Sequence, residues 1–243
     1  MAWCFNAGTD AAASNTDGTI TSTVKANTDA GFSVVKWTGN GTNGATIGHG
    51  LSNSPEIIIT KGLSNPTSWV VGIGGVSGFG VNDYMTLQTT GAKGSTTTFY
   101  QAYGTDTFTV GVSAANEMNK NSSNDYIRYC FHSVDGIQKV GSYTSQYPNT
   151  THVETGFEPA FVMIKSYNQA RNWAIHDNKR KVTNSDQRQL YANLSSAEAD
   201  INDQIEFTSN GFTVKGGSND LDCLLYTSPS PRDRQKSRMP SSA

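Results

Sequence analysis

The sequence predicts an all-β protein built from two tandem antiparallel β-sandwich-like units, of which the second lacks its final strand. Three observations lead to this fold class. The composition is rich in Gly, Ser, Thr and Asn and holds only 16% charged residues, which is typical of short strands joined by polar turns. Hydrophobic segments recur at a constant spacing. No long segment has the 3.6-residue apolar period of a helix, so the crossover helices of a parallel sheet are not predicted.

A repeat of 104 residues is visible directly in the sequence. Matching residues keep their order and, over most of the length, their spacing, which indicates a duplicated segment. The pairs at this spacing are Pro55 and Pro159, Ile57 and Phe161, Ile58 and Val162, Lys61 and Lys165, Trp69 and Trp173, and the run Phe108-Thr109-Val110 with Phe212-Thr213-Val214. Upstream, Val34 and Trp37 match Val140 and Tyr143 at a spacing of 106.

Each repeat consists of short apolar runs separated by turn residues. In the first repeat, strands are predicted at 32–38, 56–61, 68–73, 84–88, 107–112 and 126–133. Gly, Asn, Ser and Pro occupy the breaks between them. One helix-like stretch, 195–200, is predicted to form a turn or two.

Four segments follow from the repeat: 1–31, 32–136, 137–222 and 223–243. The first is assigned to the end of a preceding repeat and a connector, because Trp3-Cys4-Phe5 resembles Tyr129-Cys130-Phe131. The second and third are the β repeat units, with the third truncated. The last is predicted to be a disordered tail, since its prolines remove backbone donors and argue against a central strand. The tail is similar to translated sequencing-adapter sequence, and a genuine basic tail is the alternative.

Charge and hydropathy exclude several functions. The net charge of −2 includes four basic residues and one acid in 224–243, so the rest of the chain is more acidic than the total. Such a surface repels nucleic acid, whose binding requires basic groups. The sequence shows no signal peptide and no run of about 20 apolar residues, so membrane insertion is not predicted. Cys4, Cys130 and Cys223 form no metal-type pair, and packing in the interior is expected for the first two.

The histidines form no convincing catalytic arrangement, and the sequence predicts a protein that is not an enzyme. His49 lies in a Gly-rich turn and is expected to bond within its own loop. His132 is expected to face solvent, and His152 lies in a polar turn. His176-Asp177 is the nearest arrangement to a base with an orienting carboxylate, but its counterpart in the first repeat is Gly72-Ile73.

No cofactor and no metal centre are predicted. Calcium stays open as a ligand, because carboxylate and carbonyl oxygens in β-loops suit it. Asn202-Asp203 and Asn219-Asp220 are the candidates, although neither belongs to a full calcium-loop motif. The glycine-rich run 72–80 lacks the Lys-Ser/Thr ending of a phosphate loop and no helix follows it, so it is interpreted as a turn.

Four aromatic residues are the candidates for ligand binding. Flat aromatic rings pack well against sugar faces, and Trp37, Trp69, Tyr143 and Trp173 could form such a glycan platform. All four recur in register between the repeats, and residues that repeat with a fold commonly build its core. Core packing is therefore the preferred interpretation.

The chain also resembles a family of tandem β repeat domains in structural proteins of tailed bacteriophages, common in marine phages. The resemblance covers nearly all of 1–222. The residues that carry it are Ala2-Trp3-Cys4-Phe5-Asn6-Ala7-Gly8, Gly31-Phe32-Ser33-Val34-Val35, Thr38-Gly39-Asn40-Gly41, His49-Gly50-Leu51 before Pro55, Lys61, Trp69-Val70-Val71, Tyr129-Cys130-Phe131-His132-Ser133-Val134-Asp135-Gly136, Lys139-Val140-Gly141-Ser142-Tyr143-Thr144, Thr155-Gly156-Phe157 with Pro159-Ala160, the segment from Ala192-Asn193 to Ala197-Glu198, and Asn210-Gly211-Phe212.

The resemblance implies a non-enzymatic tail fibre or tail-associated structural protein that contacts the host surface. It implies a location in the virion tail after synthesis in the host cytoplasm without a signal peptide. The expected partners are other virion tail proteins and a host surface glycan or receptor, and a homotrimer is implied by the same resemblance. Two alternatives stay open: a carbohydrate-binding β-sandwich module, and a tail enzyme that depolymerises polysaccharide with two close carboxylates.

Overall fold

The computed structural model describes residues 5–121, 123–146, 148–180, 188–200, 204–215, 219–221 and 224–229. Over these residues the chain is all-β with antiparallel sheets, which confirms the predicted fold class. Its contacts separate two compact units, Met1–His132 (unit 1) and Ser133–Ala243 (unit 2). In the described residues, no helix has the length and apolarity needed to cross a lipid bilayer.

Unit 1 consists of two sheets. The larger has the strand order β1-β2-β3-β11-β5-β6-β7-β8 and the smaller has the order β4-β10-β9. Its strands are β1 Ala13–Asn15, β2 Ser22–Asn27, β3 Phe32–Thr38, β4 Ala45–Gly48, β5 Ile57–Gly62, β6 Trp69–Ile73, β7 Asp83–Thr86, β8 Gly94–Ser95, β9 Tyr100–Tyr103, β10 Thr107–Val110 and β11 Asp125–Phe131. A 3-10 turn, Thr28–Ala30, separates β2 from β3.

The core of unit 1 lies between these two sheets. Alternate residues of a strand point to opposite faces, so each sheet turns one apolar row inward. Val35 and Ile58 come from the larger sheet, Ile47 and Phe108 come from the smaller one, and all four are fully buried in one cluster. The face of the larger sheet that points away from this core is called the outer face below.

Arg128 is an unusual member of this core. Its side chain is fully buried, and its guanidinium carbon lies 3.7 Å from the centre of the Phe108 ring and 4.8 Å from that of Trp37. Nε donates to the Thr60 hydroxyl at 2.8 Å, while Nη1 finds no partner in the described residues. Contact with aromatic faces stabilises the cation, and burial nevertheless lowers the pKa of Arg128.

Unit 2 also has a larger sheet, β12-β20-β14-β15-β16-β17, and a smaller sheet, β13-β19-β18. Its apolar cluster includes Val162 and Ile164 from the larger sheet and Phe212 from the smaller. The described strands are β12 Gln138–Tyr143, β13 Thr151–Glu154, β14 Phe161–Ser166, β15 Trp173–Asp177, β16 Arg188–Tyr191, β17 Ala199–Asp200, β18 Ile205–Thr208, β19 Gly211–Val214 and β20 Leu224–Pro229, with a 3-10 turn at Asn219–Leu221.

The two units have the same topology. In sequence order, β12 to β20 take the places of β3 to β11, and both sheets keep the strand order of unit 1. Register agrees as well: Ile58 pairs with Gly72 and Val162 pairs with His176, each residue lying 104 positions from its counterpart. The repeat in the sequence is therefore a repeat in the fold, and β1 and β2 are additions to unit 1.

The expectation that unit 2 lacks its final strand is wrong. β20 pairs with β12 on one side and with β14 on the other, in the place that β11 takes in unit 1. Thus Leu224–Pro229, assigned from sequence to a disordered tail, is a strand. Pro229 is tolerated because it is the last residue of β20, where the ladder with β14 has already ended at Thr227. Residues 230–243 lie outside the described part of the chain.

Three further expectations need correction. The stretch 195–200 is not helical, and its last two residues form β17. Part of the segment 1–31, assigned to the end of a preceding repeat and a connector, forms β1 and β2, because Ser22 and Val24 alternate inward along β2. His132 does not face solvent and is 3% exposed. Cys130 is buried and unpaired, as expected, whereas Cys4 and Cys223 lie outside the described residues.

Candidate functional site

The structure separates the four aromatic candidates. Trp37 and Trp173 are 2% and 1% exposed and belong to the interiors of their units. Trp37 stacks on Tyr126 with ring centres 5.1 Å apart. Tyr143 is half-buried against the core of unit 2, and its hydroxyl donates to the carbonyl of Leu221 at 2.9 Å. Because their faces are covered, Trp37 and Trp173 do not form a surface platform.

Trp69 lies on the outer face of unit 1 and is partly exposed. Its ring stacks with that of Tyr129, with centres 6.4 Å apart and planes inclined by 26°. Tyr129 is not among the site residues predicted from sequence. Its orientation follows from the alternation along β11, in which Arg128 and Cys130 point inward and Tyr129 points outward. The two rings together are called the aromatic platform below.

Lys61 completes the aromatic platform on one side. It pairs with Trp69 across β5 and β6, its Nζ lies 5.6 Å from the centre of the Trp69 ring, and the same Nζ donates to the carbonyl of Thr67. On the other side of Trp69, the backbone N–H donates to Oε1 of Gln88 at 2.9 Å. The contact with Lys61 places a cation beside the indole, and the contact with Gln88 fixes the backbone of Trp69.

The outer face around the aromatic platform carries more positive than negative charge. Lys25 on β2, Lys36 on β3 and Lys61 on β5 point to this face, whereas Asp125 on β11 is the acid that accompanies them. Lys36 and Asp125 form an ion pair at 3.2 Å. Hydrogen bonds from Thr38 and Lys36 lower the pKa of Asp125, so it stays ionised. One lysine charge is thus neutralised locally.

In the described residues of unit 2, the register positions of the aromatic platform and its lysines are occupied differently. Lys165 and Trp173 match Lys61 and Trp69, and Nζ of Lys165 donates to the carbonyl of Arg171 at 2.9 Å. Both side chains are inaccessible to solvent. Burial lowers the pKa of Lys165 to about 8, with Asp220 acting in the opposite direction. The positions equivalent to Tyr129 and Lys36 have different residues in unit 2: Thr227 takes the register position of Tyr129, and Ser142 takes that of Lys36.

His49 has a structural role in unit 1. It is fully buried, Nδ1 accepts from the backbone N–H of Leu51 at 3.1 Å, and Nε2 lies 3.2 Å from the carbonyl of Gly104. This pair of bonds requires the neutral ring with its proton on Nε2. Burial is the main cause that lowers the pKa of His49, so the neutral form is favoured.

His176 and Asp177 do not act as a pair. They are consecutive residues of β15, so their side chains lie on opposite faces of the sheet. Neither ring nitrogen of His176 has a hydrogen bond of acceptable geometry in the described residues, and burial lowers its pKa to about 3. Asp177 instead pairs with Nε of Arg180 at 2.7 Å. A base with that pKa and no exposure is unsuited to proton transfer near neutral pH.

The buried acids of the described chain are held as ion pairs. Asp83 accepts from Nζ of Lys93 at 2.7 Å, and Asp177 accepts from Arg180. Burial raises the pKa of each carboxyl, but hydrogen bonds from these cations and from backbone N–H groups outweigh it, so both pKa values are lowered. A general acid for glycoside hydrolysis needs a raised pKa, which is the opposite shift.

The calcium candidates are divided between described and undescribed residues. Asn202-Asp203 lies outside the described part. Asp220 accepts from the backbone N–H and the side-chain amide of Asn172, at 2.9 and 3.4 Å. In the described ranges, no three or more His, Cys, Asp or Glu side chains are grouped to hold a metal ion. His152, an exposed residue of β13, has Nδ1 3.1 Å from the hydroxyl oxygen of Thr213.

Comparison with known proteins gives one match. A family model described as "Domain of unknown function (DUF7483)" matches residues 1–223. The matched range spans unit 1 with its aromatic platform and unit 2 up to the residue before β20. No curated protein matches the chain, and no solved structure matches it.

Proposed function

This chain belongs to the DUF7483 family, and we propose that it is a non-enzymatic structural module of a tailed-bacteriophage virion that sits on the tail and contacts the host surface. The observation that carries the proposal is the duplication: one topology is built twice in tandem, while the side chains on the outer faces differ. Tandem modules suit an extended appendage, because each adds length and its loops accept change. The resemblance to phage structural proteins supplies the virion context.

The electrostatics of the two units support a non-enzymatic role. His49 and His176 are buried with lowered pKa values, and Asp83 and Asp177 are ion-paired. These groups stabilise their units and are closed to substrate. Under this proposal, the partners are other tail proteins and a host surface glycan or receptor, in a trimeric or other oligomeric fibre, and no cofactor takes part.

Mass spectrometry of purified virions tests the proposal. Tailed particles from the viral community that encodes the chain are banded on a density gradient, and tryptic peptides of units 1 and 2 are sought in the band. We expect these peptides together with those of the major capsid protein. Absence of terminase peptides confirms that the band contains mature virions. Peptides of this chain that remain in the cellular fraction would contradict a virion location.

A further inference from the structure

We infer that the outer face of unit 1 binds an acidic polysaccharide that contains uronic acids, with a sugar ring on the aromatic platform and its carboxylate directed at Lys61 and Lys36. The inference deepens the proposed function and rests on its host-contact part, since it names the site and the class of ligand. Three features of the described residues carry it: the partly exposed rings, the local charge and the contrast with unit 2.

The rings offer an apolar surface that is supported from behind. Trp69 and Tyr129 lie on β6 and β11, on either side of β5, and Ile59 of β5 lies between them on the same face. Strands fix the backbone of all three residues, and the two rings already contact each other, so little side-chain freedom is lost on binding. Two inclined rings with centres 6.4 Å apart match the scale of one or two pyranose units.

The lysines supply charge where a ring-bound carboxylate would lie. A row of paired residues crosses the sheet from Lys36 through Ile127 and Lys61 to Trp69. The C6 carboxylate of a uronic acid projects from the edge of the sugar ring, so a ring stacked on Trp69 directs it along this row. The ammonium of Lys61 donates to the Thr67 carbonyl, and an ammonium carries three donors. The Lys36 side chain is 54% exposed.

The sign of the charge is specific to this face. The whole chain has a net charge of −2, yet Lys25, Lys36 and Lys61 outnumber the strand acids of the outer face. These acids are Asp125, beside Lys36, and Asp83 on β7, which is paired with Lys93. An excess of lysine attracts an anionic ligand and suppresses binding of cationic ones. A neutral glycan would use the rings and leave the lysines unused.

Unit 2 provides an internal comparison. It keeps the lysine and the tryptophan in register, but Lys165 and Trp173 are buried, and Thr227 stands where Tyr129 stands in unit 1. A requirement of the fold for this Lys-Trp pair is therefore met in both units. In unit 1 the pair is partly exposed and lies beside a second ring, that of Tyr129. The fold itself requires neither the exposure nor the second ring, because unit 2 has the same topology with its pair buried.

Titration calorimetry with the full chain tests the inference. The probes are oligomannuronate, a neutral β-glucan oligosaccharide and a sulfated glucan of similar length. We expect the oligomannuronate to bind, with an affinity that falls as salt rises. Trp69→Ala and Lys61→Met should each weaken it tenfold or more, and Lys36→Met should weaken it about threefold, which correspond to about 1.4 and 0.6 kcal/mol. Lys139→Met in unit 2 is the matched control and should bind as the unsubstituted chain does.

Four outcomes overturn the inference. The unsubstituted chain fails to bind oligomannuronate; Trp69→Ala and Lys36→Met, both shown to be folded by circular dichroism, bind it unchanged; the neutral glucan binds as tightly; or the sulfated glucan binds more tightly. Self-association that Trp69→Ala abolishes, without glycan binding, would assign the face to a second copy of the chain. Failure here together with peptides in purified virions leaves the proposed function standing, so the two failures are distinguishable.

Discussion

Unit 1 and unit 2 share a strand order but solve the same packing position differently. At one core-facing position, on β6 of unit 1 and on β15 of unit 2, unit 1 has Gly72 and unit 2 has His176. A Cβ at Gly72 would collide with the ring of Tyr100 and the hydroxyl of Tyr103, so glycine makes room for two tyrosines. In unit 2 the imidazole fills that place itself. The fold thus depends on volume at this position and accepts different chemistry.

The outer faces also show that residues at equivalent positions of the repeat can have different surroundings. Trp69 and Trp173 occupy equivalent positions, yet the first is partly exposed and the second is buried. One residue type in one register therefore belongs to a candidate binding surface in unit 1 and to the interior in unit 2. The position of a residue in the repeat thus determines its backbone pairing, whereas the residues packed around it determine its role.

The largest expected effect compares these two tryptophans. Trp173→Ala should lower the free energy of unfolding of unit 2 by about 3–5 kcal/mol, because it leaves a cavity in the interior. Trp69→Ala, the matched variant, should lower that of unit 1 by about 1 kcal/mol or less, since a partly exposed ring loses fewer contacts. Urea denaturation with hydrogen exchange read on peptides of β5–β6 and β14–β15 measures both. Equal losses would show that the outer faces are equally covered.

Arg128 gives the next contrast. Arg128→Ala should destabilise unit 1 by about 2–4 kcal/mol, because a cavity opens between Phe108 and Trp37. Arg128→Met retains the volume and removes an unpaired buried charge, so its stability should lie within about 1 kcal/mol of the unsubstituted chain. Chemical denaturation of both variants measures the difference. A Met variant as weak as the Ala variant would mean that the cation itself stabilises the core through its aromatic contacts.

Gly72→Ala adds the smallest side chain at the position where unit 2 has His176. The added methyl group meets Tyr100 and Tyr103, so unit 1 should lose about 1–3 kcal/mol by overpacking. The double variant Gly72→Ala with Tyr103→Phe removes one of the atoms that the new group meets, the Tyr103 hydroxyl oxygen, and should recover part of this loss. Thermal unfolding monitored by near-ultraviolet circular dichroism follows both. No loss in Gly72→Ala would show that the tyrosines shift freely.

Acid should weaken unit 2 through His176. Burial lowers its pKa from 6.5 to about 3, with the charge of Arg180 acting in the same direction. The unfolded chain binds this proton more tightly, so the contribution is fully present above pH 6.5 and is lost as pH falls toward 3. At pH 5.5 the loss is about 1.4 kcal/mol. His176→Gln should flatten this part of the stability profile, and an unchanged slope would place the pH dependence on other groups.

The strands that the sequence predicted are those with strong apolar alternation. The prediction 32–38 coincides with β3, and 107–112 contains β10. The short strands β4 and β9 were not predicted, because each has four residues next to a glycine, Gly44 before β4 and Gly104 after β9, and such short runs look like turns. β20 was not predicted, because a proline such as Pro229 argues against a strand unless the neighbouring ladder is known to end before it. Hydrogen bonds to distant strands decide such cases, and they are invisible locally.

The candidate site was predicted only in part. Sequence named Trp69 beside Trp37 and Trp173, and no local feature distinguished them, because each lies in an apolar strand and has a counterpart in the other repeat. Tyr129 was absent from the prediction, since its proximity to Trp69 arises across β5. Exposure and neighbourhood are properties of the folded sheet.

By itself the sequence determined that the chain is all-β, that it is duplicated and that its apolar rows fix the register of the central strands, because period-two alternation and the 104-residue spacing are written in the order of residues. Tertiary structure alone decided which aromatic rings are exposed, which histidines are buried and that β20 completes unit 2. The reason is physical: alternation states which side of a strand a residue takes, whereas burial and charge depend on what the other strands bring to that side.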